Sequence, residues 1–223
     1  MADKRQELGE VIADLKLIKE AVSKSDSFFR FIDTRGAMRS VMLAAGLLIG
    51  LISALFYYLT ASFGSFDAIP LNTRIIIFVL MGLAWCSLGC LKLYNFLKSG
   101  RAVRGDMTLS RLFDEIYTSR LIALMVPFML VIILVVVFLC TIGQAIYITP
   151  ALAILFGLLF ISMSPIVYLK ELYLLSIWLI ASGLLTLFTA GTFHPMAVLG
   201  FTFSTGFILS GLLLYLNLPG HER

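Results

Sequence analysis

The chain has 223 residues, of which 60% are hydrophobic and 13% are charged. A soluble domain carries about twice that charged fraction, and here the apolar residues form runs long enough to cross a bilayer. The net charge of +4 comes from Lys and Arg beside those runs and leaves no compact basic patch, which argues against a soluble domain and against nucleic acid as a partner. We predict an all-α polytopic membrane protein with six transmembrane helices.

Residues 1–39 are predicted to form a cytoplasmic amphipathic and interfacial segment. Apolar side chains between residues 5 and 24 alternate at spacings of three and four, which is the a/d pattern of a short coiled coil. These seam residues are Leu8, Val11, Leu15, Ile18 and Val22. Two interpretations stay open: the seam packs on the protein's own cytoplasmic loops or on the membrane surface, or it binds a partner protein or a second copy. The charged N-terminus lacks an early apolar region, so we expect no cleavable signal peptide.

Six apolar runs then follow. The transmembrane domain is predicted over residues 40–217, and the cytoplasmic tail over 218–223. The spans are placed at about 40–62, 74–96, 121–142, 148–168, 171–190 and 196–217. With six spans, every Lys and Arg except Arg74 falls on one side of the membrane, which predicts that both termini are cytoplasmic.

The polar segment 97–120 is predicted to be a cytoplasmic loop containing a short amphipathic helix. Its apolar side chains Leu109, Leu112, Phe113 and Ile116 share one helical face.

Lys170 and Glu171 are the only formally charged side chains between Arg120 and Glu222. The uncharged runs on either side are each long enough for two spans. A charge in mid-bilayer would cost several kcal/mol. We therefore place this pair at the cytoplasmic turn between the fourth and fifth spans.

No Asp, Glu, Lys, Arg or His lies inside a predicted span away from its ends. Ion-coupled carriers and intramembrane hydrolases commonly need such residues. Cys86 and Cys90 share a helical face and are conceivable soft-metal ligands, but small packing residues are the favoured interpretation. We predict no catalytic residue, no metal site and no cofactor, and hence a protein that is not an enzyme.

Small residues recur at four-residue spacing in three spans, a pattern that lets membrane helices approach closely. They are Gly46, Gly50 and Ala54 in the first span, Gly82 and Cys86 in the second, and Gly200, Ser204, Gly206 and Ser210 in the sixth. We favour packing inside one chain, and packing between two chains of a homodimer stays open.

Pro165 interrupts the end of the fourth span, directly after Ser164 and three residues after Ser162. It marks either an ordinary kink, in which the serines bond to the freed carbonyl, or a broken helix of the kind that forms transport sites. The candidate solute path comprises Ser164, Pro165, Ser176, Ser182 and Thr186.

Four stretches together resemble a group of uncharacterised bacterial inner-membrane proteins. They are IKEAVSKSDSFFRFIDTRGAMRSVMLAAGLLIG, SRLFDEIYTSRLIALMVPF, YITPALAILFGLLF and KELYLLSIWLIASGLL. The resemblance implies a charged N-terminal helix, six spans, a polar loop after the second span, and a place in the bacterial inner membrane. It implies no activity and no site residues.

The leading hypothesis from the sequence is a non-catalytic regulatory or scaffolding module that acts through its cytoplasmic face. Its expected partners are the lipid bilayer and either a second copy or a cytoplasmic protein. The alternative is a channel or carrier for a neutral or apolar small solute.

Overall fold

The computed structural model describes residues 34–103, 105–116, 119–167 and 169–216. The predicted seam between Leu8 and Val22 and the predicted tail 218–223 lie outside these residues. Within them, every regular element is helical, so the predicted all-α class is confirmed for this part of the chain.

The helices follow one another with short connections. Their bounds are α1 Thr34–Phe63, α2 Leu71–Val103, α3 Leu109–Ile116, α4 Ser119–Thr141, a 3₁₀ turn Ala145–Tyr147, α5 Ile148–Val167, α6 Lys170–Phe188, α7 Pro195–Leu199, a π-helical turn Gly200–Ser204, and α8 Thr205–Leu216. The last three form one uninterrupted helical segment. The described residues thus contain six helices that are long and apolar enough to span a membrane, as predicted.

The largest differences from the predicted bounds occur in α1 and α2. Helix α1 already includes Thr34, the first described residue, rather than beginning near residue 40, and α2 continues to Val103 rather than ending near 96. In both places the additional turns contain polar residues, and some of their side chains make contacts with other parts of the chain. In α2, for example, Arg101 lies in the last turn, where a positive charge is favourable, and its Nε donates to the Met107 carbonyl at 3.3 Å.

Helices α5, α6, α8 and α1 form the centre of the bundle, with α4 packed on α5 and α2 packed on α1. Glycines bring the central helices together. A Cβ on Gly157 of α5 would lie only 3.0 Å from the Ser176 carbonyl oxygen of α6. A Cβ on Gly183 of α6 would lie 3.1 Å from the Cβ of Ala153 in α5. The interface between α5 and α6 therefore has no room for a larger side chain at these positions.

The short helix α3 packs against the bundle with half of its predicted apolar face. Leu112 and Ile116 are buried, and the neighbouring Met107 is buried with them in the main hydrophobic cluster. Leu109 and Phe113 are exposed. The polar segment after α2 is thus anchored to the end of the bundle.

Candidate functional site

The beginnings of α1 and α6, the ends of α2 and α8, and helix α3 lie at one end of the bundle, which we call the basic end. Here Arg35 Nε of α1 lies 3.6 Å from Glu171 Oε1 of α6. The Glu171 side chain is only 3% exposed, whereas that of Arg35 is 38% exposed. The carboxylate lies in the first turn of α6, where unpaired backbone N–H groups and the helix dipole favour a negative charge.

The structure places Lys170 and Glu171 directly after the break between α5 and α6, in the first turn of α6. Lys170 is exposed, but Glu171 turns inward. Its Oε2 is buried and has no hydrogen-bond partner. No sequence pattern indicates this geometry, because Arg35 belongs to a segment that we predict to be interfacial rather than helical.

Three further contacts hold the same turns of α1. Asn95 Nδ2 of α2 donates to the Ala37 carbonyl at 3.3 Å and to Ser40 Oγ at 2.8 Å. The Arg39 guanidinium lies 4.9 Å from the ring centroid of Tyr215 in α8, a cation–π distance. The first two turns of α1 are therefore bound to α2, α6 and α8 through polar side chains.

A cavity of about 200 Å³ also lies towards the basic end, and six helices contribute to its wall. Its lining is apolar except for Lys92 of α2. The lining residues are Met38, Lys92, Phe96, Ile116, Leu121, Met125, Met129, Phe156, Leu159, Phe160, Met163, Val167, Leu169 and Leu172. Sequence reasoning missed this cavity, because its wall comes from segments far apart in the chain.

The π-helical turn forms a second junction that the sequence did not predict. Ser204 Oγ donates to the Gly46 carbonyl of α1 at 2.7 Å. Trp178 Nε1 of α6 donates to the Thr202 carbonyl at 3.0 Å. Extra residues in a helical turn often mark functional positions. Here the turn joins α1, α6 and the last helical segment by hydrogen bonds between side chains and backbone.

The predicted packing residues fall into two groups. Those in α1 and the last helical segment mostly face other helices: Gly46, Gly50, Gly200, Ser204, Gly206 and Ser210. The remaining three, Ala54, Gly82 and Cys86, are exposed. A Cβ on Gly82 would meet no atom within 4 Å. Small residues on α2 therefore point away from the bundle.

The three hydroxyls that α6 contributes to the candidate solute path are bonded within that helix. Ser176 Oγ donates to the Leu172 carbonyl at 2.6 Å, and Ser182 Oγ donates to the Trp178 carbonyl at 2.7 Å. Thr186 Oγ1 donates to the Ser182 carbonyl at 2.8 Å. Among these three, only Thr186 borders one of the cavities described, a mainly apolar one of about 380 Å³ between α6 and the last helical segment. The structure does not bring these residues together around one continuous path.

Pro165 lies exposed near the end of α5. In an ordinary kink, the neighbouring serines would bond to the carbonyl four residues before the proline. They bond to other carbonyls instead. Ser162 Oγ donates to the Leu158 carbonyl at 2.9 Å, and Ser164 Oγ donates to the Leu169 carbonyl at 3.0 Å. Ser164 thus bridges the break between α5 and α6.

His194 occupies a structural position at the opposite end of the bundle. Its Nδ1 accepts a hydrogen bond from the Met196 backbone N–H at 3.2 Å, which caps α7. Its Nε2 lies 3.2 Å from Thr60 Oγ1 of α1, and its ring stands edge-on to Tyr57 at 5.1 Å. Each nitrogen of the ring therefore has a hydrogen-bond partner within the protein.

The cysteines Cys86, Cys90 and Cys140 are free and exposed. No group of three or more His, Cys, Asp or Glu side chains suited to a metal ion occurs among the described residues. Compared with known proteins, the chain matches no family model, no curated protein and no solved structure.

Proposed function

We propose that the chain is a six-span protein of the bacterial inner membrane that acts as a non-catalytic regulatory or scaffolding module through its basic end. Six long apolar helices support the membrane placement. The Lys and Arg residues concentrate around the N-terminal segment and the segment after α2. A positive-inside distribution therefore supports a cytoplasmic basic end with both termini on that side.

One observation carries the proposed role. The first two turns of α1, directly after residues 1–33, are bound to three other helices by the Arg35–Glu171 ion pair, the Asn95 hydrogen bonds and the Arg39–Tyr215 contact. A force on the N-terminal segment would therefore act on α2, α6 and α8 as well as on α1. Such a connection suits a module whose N-terminal segment binds a partner and whose bundle anchors or senses that binding.

A photo-crosslinking amino acid placed at Leu15 of the full chain, in membranes, tests this role. Leu15 belongs to the predicted apolar seam, and the adjacent Lys16 is predicted to lie on its polar side, so the same probe at Lys16 is the matched control. We expect a discrete adduct from Leu15, with a second copy or with one cytoplasmic protein, and several-fold less from Lys16. No adduct from Leu15, or equal adducts from both positions, would contradict the proposed role.

The carrier alternative draws its support from the cavity of about 380 Å³ beside Thr186 and Phe201, whose walls would suit an apolar solute. The close contact of α5 and α6 at Gly157 and Gly183 gives it no further support. We therefore favour the regulatory or scaffolding role.

A further inference from the structure

The cavity at the basic end combines an apolar wall with one charged side chain. Its other lining residues are apolar, and four are methionines: Met38, Met125, Met129 and Met163. Methionine side chains are flexible and polarizable, so they adapt to irregular apolar ligands. The ammonium group of Lys92 has no ion-pair or hydrogen-bond partner in the part of the chain that the structure describes. A positive charge at the wall of an apolar cavity is complementary to an anionic amphiphile.

The cavity lies where two helices leave a gap. Lys92 and Phe96 line it from α2, and Met125 and Met129 line it from α4. Helix α2 packs mainly on α1, and α4 mainly on α5, whereas α2 and α4 are not packed extensively against each other. This gap leaves the cavity a lateral route to the surroundings of the bundle.

An open apolar surface of α4 continues the cavity, and the two share Met125 and Met129. The other residues of this surface, from Ile122 to Ile133, extend over three turns of the helix. The cavity and this surface together form an elongated apolar track with Lys92 beside it.

The position of Lys92 along α2 suits a lipid headgroup. Lys92 lies eighteen positions after Arg74, which corresponds to about 27 Å of helix, close to the ~30 Å of a hydrocarbon core. With Arg74 at one membrane surface, Lys92 reaches the other. A phospholipid with an acyl chain in the track would then have its phosphate at the depth of the Lys92 ammonium group.

We propose that this cavity binds an anionic phospholipid of the leaflet at the basic end, with an acyl chain among the methionines and the phosphate at Lys92. The site rests on the proposed membrane placement of the chain and is independent of the proposed regulatory role. An anionic lipid held here would contact α1, α2, α4, α5 and α6 together. It would therefore stabilise the arrangement of α2 and α4 on either side of the gap.

The test uses the full chain purified in a neutral detergent and titrated with phosphatidylglycerol or phosphatidylcholine of identical acyl chains. The readouts are the thermal unfolding midpoint and the number of bound lipids by native mass spectrometry. We expect phosphatidylglycerol to raise the midpoint more than phosphatidylcholine. Lys92→Gln should raise the phosphatidylglycerol concentration needed for half of the effect about fivefold, since one cationic side chain contributes about that factor.

Lys98→Gln is the matched control, because Lys98 is exposed on the same helix and does not line the cavity. It should leave the response unchanged, and Lys92→Arg should retain most of it. Met129→Phe, which narrows the cavity, should weaken the response to both lipids. Leu134→Phe, at an exposed position of the same helix, should not.

Three results would overturn the lipid site. They are equal stabilisation by the two lipids, equal effects of Lys92→Gln and Lys98→Gln, or the same stabilisation by inorganic phosphate alone. Failure of the proposed membrane placement would look different, because the chain would then remain in solution without detergent.

Discussion

Gly46→Ala is expected to lower the free energy of unfolding by about 1–3 kcal/mol, the usual cost of an extra carbon in a well-packed contact. The added Cβ would lie 2.7 Å from Ile208 Cγ1 and 2.8 Å from the Ile208 backbone nitrogen. It would also lie 3.0 Å from the Ser204 carbonyl oxygen. A side chain can change rotamer, but backbone atoms cannot move without shifting α8 away from α1. That shift would also lengthen the hydrogen bond from Ser204 Oγ to the Gly46 carbonyl. Reversible unfolding in mixed detergent micelles measures the loss.

Gly82→Ala is the matched control for this substitution. Gly82 also lies inside a long helix and in the same small-residue pattern, but a Cβ there meets no atom within 4 Å. Because Ala is favoured over Gly in a helix interior by roughly 0.5–1 kcal/mol, the variant should be as stable as the parent or slightly more stable. A Gly46→Ala protein as stable as the parent would contradict the described packing. A loss of stability in Gly82→Ala would mean that the exposed face of α2 packs against a second copy.

Replacing the two partners of the Arg35–Glu171 pair should lower the free energy of unfolding by unequal amounts. Arg35→Gln should lower it by about 1–3 kcal/mol, because it leaves a buried carboxylate without its cation. This range is below that of a fully buried pair, since the Arg35 side chain is 38% exposed. Glu171→Gln should cost less than about 1 kcal/mol, because the guanidinium can turn towards water and a neutral amide is cheaper to bury. The same detergent unfolding measurement compares them.

The double variant Arg35→Gln/Glu171→Gln distinguishes this ion pair from two unrelated packing effects. Its loss should be close to that of Glu171→Gln alone, because no uncompensated buried charge is left. Lys170→Gln, which changes an exposed side chain in the same turn, should have no effect. A larger loss for Glu171→Gln than for Arg35→Gln, or strict additivity in the double variant, would contradict this assignment.

The long helices could be predicted from the sequence because each apolar run is long, and turn-forming residues separate several of them. Gly64, Gly143 and Gly191 adopt positive φ angles of 80°, 71° and 94° in the three loops at the end opposite the basic end. Glycine accepts this conformation without strain. Composition and length therefore sufficed for the helices and for most of their boundaries.

The extensions of α1 and α2 could not be predicted in this way. Both contain charged or polar residues that a hydropathy pattern assigns to the membrane surface. Arg35 and Ala37 of the α1 extension illustrate the reason, because Arg35 pairs with Glu171 of α6 and the Ala37 carbonyl accepts a hydrogen bond from Asn95 of α2. Such contacts are tertiary, and the hydropathy pattern of one helix contains no information about them.

The candidate sites were predictable only in part. The sequence identified Glu171 as exceptional, but its ion pair with Arg35 joins residues far apart in the chain. Lys92 could be recognised only as a charge near the end of a span, because the cavity around it is formed by six helices. The small-residue pattern indicated close packing correctly at Gly46 and Gly206, which lie against Ile208 and Trp178. It could not indicate that Gly82 faces outward, since that depends on which side of α2 meets α1.

The most direct test of the proposed membrane module is to determine on which side of the membrane each end of the bundle lies. In a variant with Cys86, Cys90 and Cys140 replaced by Ala, single cysteines can be introduced by Ser65→Cys and Asp106→Cys. A membrane-impermeant thiol reagent is then applied to intact bacterial cells and to disrupted ones. We expect Ser65→Cys to be labelled in intact cells, and Asp106→Cys only after disruption. Labelling of both positions in intact cells would contradict the account, because the basic end would then not be cytoplasmic.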